Sequence, residues 1–359
     1  MNTVDVCFSP DSKYTIPCLV AIQSLCMHTC ANCNVRIHIL GGNLTTTNKT
    51  ILQSVVSYFK NANIRFIDVD ESGFQEFYTD VWGTSAAFRI RLGELLPDLD
   101  RVLYLDCDVI VRKSIEELFF IDIGQNVLGM VPDIWHKKQS KRFPEKNQAY
   151  FNTGVCLVDL KKWRERGVSS LLIDFYHNNK GRCYFPDQDV INAVMDGCIF
   201  QLGYNFNFCW HWDKNEYFES FGAVDVNDAV IIHYVFNKPW WSSCIHPYAY
   251  LYDEVIEAIP NAIKERGEVA NLMVKKQINR SDWYLFGVRV LKICDYYRIK
   301  DYDLFGFLPL LRLKQSGNEV KFYLFRHLLV AKKRFKKSPN VEEKTIIKND
   351  TRYSCDYLI

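Results

Sequence analysis

The sequence contains little proline and glycine, 11 and 17 residues among 359, and no long apolar run. The shortage of both residues excludes collagen-like repeats and low-complexity disorder, and 48% hydrophobic with 24% charged residues is the composition of a globular protein. The net charge of +2 is too small to indicate a partner by itself. At roughly 100–200 residues per domain, the length allows one large domain with an appendage, or two domains.

Signals for export and for membrane spanning are also missing. Residues 1–5 carry no basic segment before an apolar run, which would mark a signal peptide. Residues 14–35 lack charge, but their Thr, Gln, Ser, Asn and His suit a buried helix better than a membrane span of about 20 apolar residues. We therefore expect a cytoplasmic protein, or one that is peripheral on the inner face of the membrane.

Cysteine is abundant, with 13 residues. Without an export signal, reduced thiols are expected, many of them in the core. Cys26, His28, Cys30 and Cys33 are close enough in sequence for half of a zinc site or a redox pair, but no second ligand pair follows at a defined distance. Whether these four bind a metal is left open, and thiols at a helix end and in a loop are the simpler interpretation.

The charges are distributed unevenly along the chain. Residues 1–260 contain 23 Lys and Arg against 31 Asp and Glu, whereas residues 261–359 contain 21 against 11. The small net charge therefore conceals an acidic body and a basic C-terminal region, which we take as separate domains. Residues 283–337 mix Trp, Tyr, Phe and Leu with Lys and Arg, and we expect the C-terminal region to be mainly helical and without an internal repeat.

That basic, aromatic-rich region suggests a surface partner. Amphipathic basic segments with aromatic residues are typical of attachment to an anionic membrane surface. A small helical subdomain with a solvated basic face is the alternative. Nucleic acid is not expected, because no recognition motif accompanies the charge and the body is acidic.

Apolar periodicity predicts alternating strands and helices in the first part of the chain. Strands are expected at residues 4–9, 35–40, 64–69, 101–105, 127–131 and 154–160, and helices up to about 27, at 47–59, at 86–96 and from 161 onward. This alternation is typical of an open α/β sheet of the doubly wound type, where ligands bind beyond the carboxyl ends of the strands. No GxGxxG follows the first strand, so the usual dinucleotide fingerprint is absent.

The strongest chemical signal lies at the end of the fourth of these strands, where Asp106 and Asp108 follow a buried apolar run. Residues two apart in a strand point the same way, so both carboxylates project together at the carboxyl edge of the sheet. A divalent cation relieves their repulsion, and hard oxygen ligands favour Mg²⁺ or Mn²⁺. Two solvated carboxylates in a turn are the alternative without function.

Two classes of enzyme place such a pair at a strand end. A nucleotide-sugar glycosyltransferase uses it to hold a metal against a diphosphate, and a Mg²⁺-dependent haloacid-dehalogenase-type phosphatase uses its first Asp as the nucleophile. The phosphatase would carry the pair on its first strand and a later acidic motif, and neither condition is met. The order of the strands therefore favours the glycosyltransferase.

Further motifs surround this pair in a defined order between residues 3 and 245. They are FSPDSKY (8–14), AFRIRL (87–92), RVLYLDCD (101–108), YFNTGV (150–155), DQD (187–189), and IHY with KPW (232–234 and 238–240). With these motifs the chain resembles glycosyltransferase family 8, the retaining group that includes glycogenin and bacterial lipopolysaccharide galactosyl- and glucosyltransferases. The resemblance implies a single Rossmann-like nucleotide-diphospho-sugar transferase domain of the GT-A type over residues 1–260, followed by the helical basic extension of residues 261–359.

The resemblance implies the ligands of the metal and of the nucleotide. Asp106, Asp108 and His233 would bind Mn²⁺, with Mg²⁺ as the alternative ion. Asp11 and Tyr14 would bind uridine, the carboxylate at the uracil edge and the ring stacked on the base.

The resemblance also implies positions around the sugar and the diphosphate. Arg89 would reach the donor sugar or phosphate, and Lys238 would grip the diphosphate. Asn152, Asp187 and Gln188 would hold the transferred hexose. An N-cap for the following helix is the structural alternative for Asp187.

Three details concern the fit to the family pattern. The family usually has a Gly three residues after the metal-binding His and a Lys six after it, whereas here Phe236 takes the Gly position and Lys238 lies five residues after His233. The phosphate-gripping loop is therefore one residue shorter, which puts the contact of Lys238 in doubt. Pro10 also removes a backbone donor at the first strand's end. Cys107 occupies the central position of the Asp pair, where the backbone of family members often meets the ribose.

Retention of the anomeric configuration requires either a covalent intermediate or front-face attack with the leaving phosphate as base. The family residue nearest the reacting carbon is an amide, here Gln188, and an amide is a poor nucleophile. We therefore favour front-face attack, with Gln188 and Asp187 as the catalytic positions.

The sequence thus predicts a metal-dependent retaining hexosyltransferase. It would move galactose or glucose from a UDP-sugar to a cell-surface glycan or a lipid-linked acceptor, as in lipopolysaccharide biosynthesis. The phosphatase and a catalytically silent sugar-nucleotide-binding protein are the alternatives, and the complete set of Asp106, Asp108 and His233 argues against the silent protein. The hexose and the acceptor are left open, because epimers differ in one hydroxyl whose contacts are scattered.

Overall fold

The computed structural model describes residues 2–78, 83–141, 149–210, 222, 224–235, 237–241, 244 and 246–265, and the backbone of six strands between residues 279 and 334. The chain forms two compact units, Met1–Lys276 and Gln277–Ile359. Composition suggested a division after residue 260. The short helix Asn261–Lys264 belongs to the first unit, because its Ile263 is buried in that unit's core.

Ten strands are described in the first unit. They are β1 (Asn2–Phe8), β2 (Cys33–Gly41), β3 (Ala62–Asp68), β4 (Arg101–Leu105), β5 (Val109–Val111), β6 (Leu128–Pro132), β7 (Phe151–Asp159), β8 (Ile199–Gln201), β9 (Phe208–Cys209) and β10 (Ile231–His233). Seven of them form one sheet in the order β3-β2-β1-β4-β7-β6-β8. β1 to β4 run parallel where they pair, and β7 runs antiparallel to β4 and β6.

Helices pack on this sheet and bury both of its faces. The described helices are α1 (Thr15–His28), α2 (Thr46–Val56), α3 (Leu92–Leu95), α4 (Glu116–Phe120), α5 (His136–Ser140), α6 (Leu160–Glu165), α7 (Val168–Asn179), α8 (Pro186–Val194), α9 (Ala249–Ala258) and α10 (Asn261–Lys264). Along β4, Leu103 and Leu105 belong to one apolar cluster, and Val102 and Tyr104 belong to the other. Alternate residues of a strand face opposite sides, so the centre of the sheet is buried on both faces. In the part of the chain that is described, no helix has the length and apolarity needed to cross a bilayer.

A second, three-stranded sheet lies beside the end of β4, in the order β5-β10-β9. β10 runs antiparallel to β5, with His233 opposite Val109. The backbone N–H of Tyr234 also donates to the carbonyl of Asp108 over 2.9 Å. This small sheet therefore brings His233 next to the aspartate pair, although more than 120 residues separate them in sequence.

The predicted strands and helices of the catalytic unit are largely confirmed. β1, β2, β3 and β4 lie where apolar periodicity placed them, and so do α1 and α2, with ends shifted by a few residues. The helix expected at 86–96 is a 3-10 helix, Ser85–Arg91, followed by the single turn α3. The sheet is mixed rather than wholly parallel, because periodicity reports burial and carries no information on strand direction.

An ionic network around the buried Asp5 and His38 joins the first three strands. Asp5 is 6% exposed and accepts two hydrogen bonds from Arg36, at 2.8 and 2.7 Å, and one from His38 Nε2 at 2.7 Å. Arg65 Nε donates to His38 Nδ1 over 2.7 Å, so the proton of His38 lies on Nε2. Burial alone would raise the pKa of Asp5, but the hydrogen bonds from His38 and Arg36 outweigh burial and lower it.

We expect the Asp5→Asn variant to lose about 2 kcal/mol of unfolding free energy at pH 7, because it breaks charge-assisted hydrogen bonds in a buried network. A lowered pKa in the folded state means that this contribution is present above the pKa of the unfolded Asp and disappears as pH falls through the folded value. Urea denaturation between pH 7 and pH 3 should therefore give a difference between wild type and variant that shrinks toward acid pH.

The exposed pair Arg65–Asp98 offers the control. Asp98 is 55% exposed and accepts two hydrogen bonds from Arg65 at 2.8 and 2.9 Å. Asp98→Asn should cost below about 1 kcal/mol, since exposed pairs contribute little. Equal losses for the two variants would contradict a buried network at Asp5.

The second unit contains a six-stranded antiparallel meander. Its strands are β11 (Asn279–Leu285), β12 (Val288–Tyr296), β13 (Ile299–Leu304), β14 (Leu308–Ser316), β15 (Glu319–Leu324) and β16 (Leu328–Arg334), and each pairs with the next. The prediction of a mainly helical extension is therefore wrong for these residues. β15 shows the reason, since Val320, Phe322 and Leu324 alternate with Glu319, Lys321 and Tyr323, and alternation with period two favours a strand.

The meander is also a repeat, so the expectation of no internal repeat is wrong as well. The three hairpins begin at Asn279, Ile299 and Glu319, and so recur every 20 residues. The second strand of each begins with an aliphatic residue and has a basic residue four positions later. These pairs are Val288 and Lys292, Leu308 and Arg312, and Leu328 and Lys332.

The register of the meander places residues of neighbouring strands in rows. Lys314, Lys321 and Lys332 stand opposite one another in one row across three strands. Lys292, by contrast, stands between Asp282 and Asp303. Other rows are mostly apolar, such as Ile293, Tyr302, Leu311 and Leu324, although Asp295 and Lys300 share a row with Leu313 and Phe322. The register therefore aligns three lysines in one row across neighbouring strands.

Candidate active site

A cavity of about 420 Å³ opens at the carboxyl edge of the large sheet. Every residue that the sequence placed in the site lines this cavity: Asp11, Tyr14, Arg89, Asp106, Cys107, Asp108, Asn152, Asp187, Gln188, His233 and Lys238. They come from seven separate stretches of the chain, so the fold alone brings them together.

Asp106, Asp108 and His233 form the part of the site that fits a metal ion. One ligand atom of each lies within 4.8 Å of the others. His233 Nε2 is 3.2 Å from Asp108 Oδ1 and 3.8 Å from Asp106 Oδ2. Two carboxylates and an imidazole are a suitable donor set for Mn²⁺ or Mg²⁺. Among the described residues no other group of three potential ligands converges in this way, so Cys26, Cys30, Cys33 and His28 do not form such a site.

The orientation of His233 is set by Asn207, a residue that the sequence reasoning missed. His233 Nδ1 lies 3.0 Å from Asn207 Oδ1, which can only accept, so Nδ1 carries a proton and Nε2 faces the carboxylates. Burial alone would lower the pKa of His233, but the charge of Asp108 and a hydrogen bond with it outweigh burial and raise the pKa to about 10. Asn207 follows a short 3-10 turn and shows no motif by which it could have been found.

Gly154 allows the two sides of the metal site to approach each other. Its carbonyl accepts a hydrogen bond from the N–H of Asp106 at 2.8 Å. A Cβ at this position would lie 2.1 Å from His233 Cε1 and 2.9 Å from Asp106 Oδ2. Only glycine therefore leaves room for both ligands.

Arg89 holds Asp106 from the other side. The guanidinium is 5% exposed and donates to Asp106 Oδ1 at 2.6 Å and to the carbonyl of Thr153 at 2.7 Å. It also pairs with Asp187 Oδ2 at 3.1 Å and lies 4.5 Å over the ring of Tyr104. Arg89 thus links a metal ligand to the neighbouring carboxylate, in addition to lining the cavity where a donor would bind.

Asp187 and Gln188 lie in the first turn of α8, which begins with Pro186. Gln188 Oε1 accepts from the N–H of Thr153 at 3.1 Å, and its Nε2 donates to Asp133 Oδ2 at 3.5 Å. These two partners fix the orientation of the amide, with its oxygen toward Thr153 and its nitrogen toward Asp133. Burial raises the pKa of Asp187, while Arg89 lowers it.

Asp133 is a second residue that the sequence reasoning missed. It is 5% exposed, lines the cavity and accepts from Asn152 Nδ2 at 3.1 Å, and burial raises its pKa. Because it directly follows β6, which runs parallel to β4, it reaches the same carboxyl edge as Asp106. That strand end was a signal that could have identified it.

The turn after β1 also lines the cavity. Asp11 Oδ1 accepts from the N–H of Tyr14 at 2.8 Å and so caps the 3-10 turn Ser12–Tyr14. The ring of Tyr14 packs edge-on against Trp240, with centroids 5.9 Å apart. The predicted uridine pair is thus held by its own turn.

Lys238 points toward the metal site. Its ammonium pairs with Asp108 Oδ2 and donates to the carbonyls of Tyr234 at 2.7 Å and Val235 at 2.8 Å. Burial alone would raise the pKa of Asp108, but Lys238 and His233 lower it well below its usual range. Phe236, which replaces the family's glycine, lies outside the described residues.

Comparison with known proteins places this arrangement in a family. The sequence profile of Glycosyl transferase family 8 matches residues 5–244, about two thirds of the chain. The chain belongs to glycosyltransferase family 8. This assignment confirms the resemblance seen in the motifs, identifies the protein as a glycosyltransferase and decides against the phosphatase.

Individual relatives and solved structures agree with the family. This family 8 glycosyltransferase is 29% identical over 191 residues to the lipopolysaccharide 1,2-glucosyltransferase of Escherichia coli K12, which is 51% of this chain and 56% of that one. It is 26% identical to the glycosyltransferase GlyF of Streptococcus pneumoniae, over 66% of this chain and 56% of that one. The chain therefore spans little more than half the length of these two relatives.

The structural comparison covers more of the chain. The galactosyltransferase LgtC, solved in complex with donor and acceptor sugar analogs, superimposes with a TM-score of 0.65 and 26% identity, over 75% of this chain and 100% of that one. This likeness confirms the GT-A type fold.

We expect Gly154→Ala to weaken Mn²⁺ binding by at least 10-fold, because the added Cβ would displace the side chains of His233 and Asp106 from each other. The dissociation constant can be measured by titrating Mn²⁺ and following the free ion by electron paramagnetic resonance. Gly129→Ala is the control, since a Cβ at this buried strand glycine would meet its neighbours at 3.3 Å or more. If Gly154→Ala bound Mn²⁺ as tightly as Gly129→Ala, the crowding at Gly154 would not matter for the ion.

Proposed function

We propose that this glycosyltransferase moves galactose or glucose from a UDP-sugar to a cell-surface glycan or lipid-linked acceptor, and that it retains the anomeric configuration. The observation that supports this most is that Asp106, Asp108 and His233 meet beside Gln188 in one cavity. The likeness to a galactosyltransferase and to a lipopolysaccharide glucosyltransferase supports a hexose as the transferred group and a cell-surface glycan as the acceptor.

Mn²⁺, or Mg²⁺ in its place, is the ion that we propose for Asp106, Asp108 and His233. When bound, it would act as a Lewis acid for the departing diphosphate. The chain's own residues orient these ligands. Neighbouring cations keep Asp108 ionised, and Asn207 leaves Nε2 of His233 facing the two carboxylates.

The uridine would lie over the turn that follows β1. Asp11 uses Oδ1 to cap this turn, which leaves Oδ2 for an N–H donor such as that of uracil. The Tyr14 ring, held edge-on by Trp240, offers a face for stacking on the base. The base would thus be held at the turn after β1, and the diphosphate at the metal ligands.

Gln188 and Asp187 are the residues we propose next to the reacting sugar. Asp187 forms an ion pair with Arg89. Its carboxylate is therefore better placed to accept a hydrogen bond from a sugar hydroxyl than to attack the sugar carbon. Gln188 carries no nucleophilic charge, and its two amide ends are held by Thr153 and Asp133. These contacts favour front-face attack, in which the leaving phosphate takes the acceptor proton and Gln188 polarises the reacting region.

A donor screen tests this function. We expect UDP release from UDP-galactose or UDP-glucose, dependent on Mn²⁺ and accelerated by a sugar acceptor. Gln188→Ala should lower the turnover number about 100-fold, as expected when one aligned polar group is lost from a transition state, while UDP still binds. Coupled detection of UDP measures the rate, and calorimetry measures the binding.

The exposed amide Gln201 provides the matched control. Gln201→Ala should retain the wild-type rate. Full activity of Gln188→Ala would remove Gln188 from the mechanism, and UDP release that ignored Mn²⁺ would remove the metal from it.

For the second unit we propose attachment to an anionic membrane surface through residues 283–337. The register aligns Lys314, Lys321 and Lys332 in one row, and three neighbouring positive charges would complement anionic headgroups.

Vesicle binding by the full chain tests this attachment. Replacing Lys314, Lys321 and Lys332 with Ala should weaken binding to phosphatidylglycerol vesicles about 100-fold at low salt, at roughly 1 kcal/mol per lysine. The control removes the same charge from exposed positions of the first unit, as Lys60, Lys113 and Lys161→Ala. Equal loss in both variants would mean that net charge, and not the sheet, governs binding, and no loss in either would end the proposal.

A further inference from the structure

Lys238 occupies an unusual place for a lysine that would bind a diphosphate. It lies five residues after His233, one fewer than the family spacing. Only 6% of its surface is exposed, although it borders an open cavity. The side chain is therefore buried beside Asp108 at the edge of the cavity.

The ammonium of Lys238 has a complete set of partners. A lysine ammonium has three N–H donors. Here they meet Asp108 Oδ2 and the carbonyls of Tyr234 and Val235, which lie 2.7 and 2.8 Å away. A phosphate oxygen could gain a hydrogen bond from Lys238 only if one of these buried bonds were broken.

The three partners belong to the two segments that carry metal ligands. Asp108 follows β4, whereas Tyr234 and Val235 directly follow His233 at the end of β10. A backbone hydrogen bond of 2.9 Å between Tyr234 N–H and the Asp108 carbonyl joins the same two segments. Lys238 thus closes a junction between the aspartate pair and the histidine.

Lys238 also decides which way the Asp108 carboxylate faces. With Oδ2 held by the ammonium, Oδ1 is directed to the side of His233, 3.2 Å from Nε2. Asn207 does the same for the imidazole of His233 from the opposite side. Groups that hold ligands in this way commonly affect metal affinity 10- to 100-fold when they are removed.

We propose that Lys238 is a positioning residue for the metal ligand Asp108, and that it does not bind the diphosphate of the donor. The proposal rests on the metal site of the proposed function, but not on the identity of the nucleotide. It changes the role that the family pattern implies for this lysine.

Mn²⁺ titration without nucleotide tests this role directly. Lys238→Met is expected to bind Mn²⁺ 10- to 100-fold more weakly than wild type, followed by electron paramagnetic resonance of the free ion. Lys13→Met is the matched control. Lys13 is an exposed lysine on the wall of the same cavity and belongs to the turn after β1, not to the segments that carry Asp108 and His233. Its Mn²⁺ affinity should stay at the wild-type value. Unchanged or tighter Mn²⁺ binding by Lys238→Met would overturn the proposal.

A second measurement separates positioning from phosphate binding. At saturating Mn²⁺, the ratio of the dissociation constants for UMP and UDP should stay within about twofold of wild type in Lys238→Met, since the second phosphate gains nothing from this side chain. Loss of the preference for UDP would assign Lys238 to the diphosphate. If the wild-type protein bound neither nucleotide, the proposed donor would be wrong, while the titration with Mn²⁺ alone would still judge Lys238.

Removal of a buried cation can also prevent folding. Lys238→Gln is therefore the second variant, because its amide donates two hydrogens and retains part of the junction. Its Mn²⁺ affinity should lie between those of wild type and Lys238→Met. If Lys238→Met is not recovered folded, the same criteria apply to Lys238→Gln alone, and wild-type Mn²⁺ affinity in that variant would refute the positioning role.

Discussion

The mutual repulsion of Asp106 and Asp108 is the constraint around which the active site is organised. Two like charges at the end of one buried strand interact strongly, because little water screens them. Each carboxylate has its own buried cation, Arg89 for Asp106 and Lys238 for Asp108. His233 lies between the two aspartates, within 3.8 Å of both. The site is therefore balanced by side chains from three other parts of the chain.

Neutral amide side chains orient the charged residues of the site through hydrogen bonds. Asn207 holds His233, Asn152 holds Asp133, and Gln188 is held between Thr153 and Asp133. Asn207 Nδ2 also donates to Asn152 Oδ1 at 2.8 Å, so the surroundings of His233 and of Gln188 share one network. Fixed dipoles of this kind need no rearrangement when charge develops during a reaction, which is the usual source of electrostatic catalysis.

The chain's patterns revealed much of this arrangement, but not the parts that depend on long-range contacts. The apolar run before Asp106 predicted β4 and the edge of the sheet at which the carboxylates emerge. The residues that the ordered motifs predicted for the site all line the cavity. Asp133 was overlooked although it also ends a strand, and Asn207 has no local signal at all. In the second unit, aromatic and basic composition suggested helices, whereas alternation with period two and a 20-residue recurrence belong to hairpins.

The sequence by itself determined the α/β character of the first unit, the aspartate pair at the end of β4 and the family, because local periodicity and short ordered motifs indicate them. Only the tertiary structure decided that β7 runs antiparallel, that β10 carries His233 to the end of β4, and that Lys238 turns inward to Asp108. The physical reason is that strand direction and ion pairing are settled by which distant segments pack together. The pairing of Lys238 with Asp108 joins residues 130 positions apart, and no local pattern records such a contact.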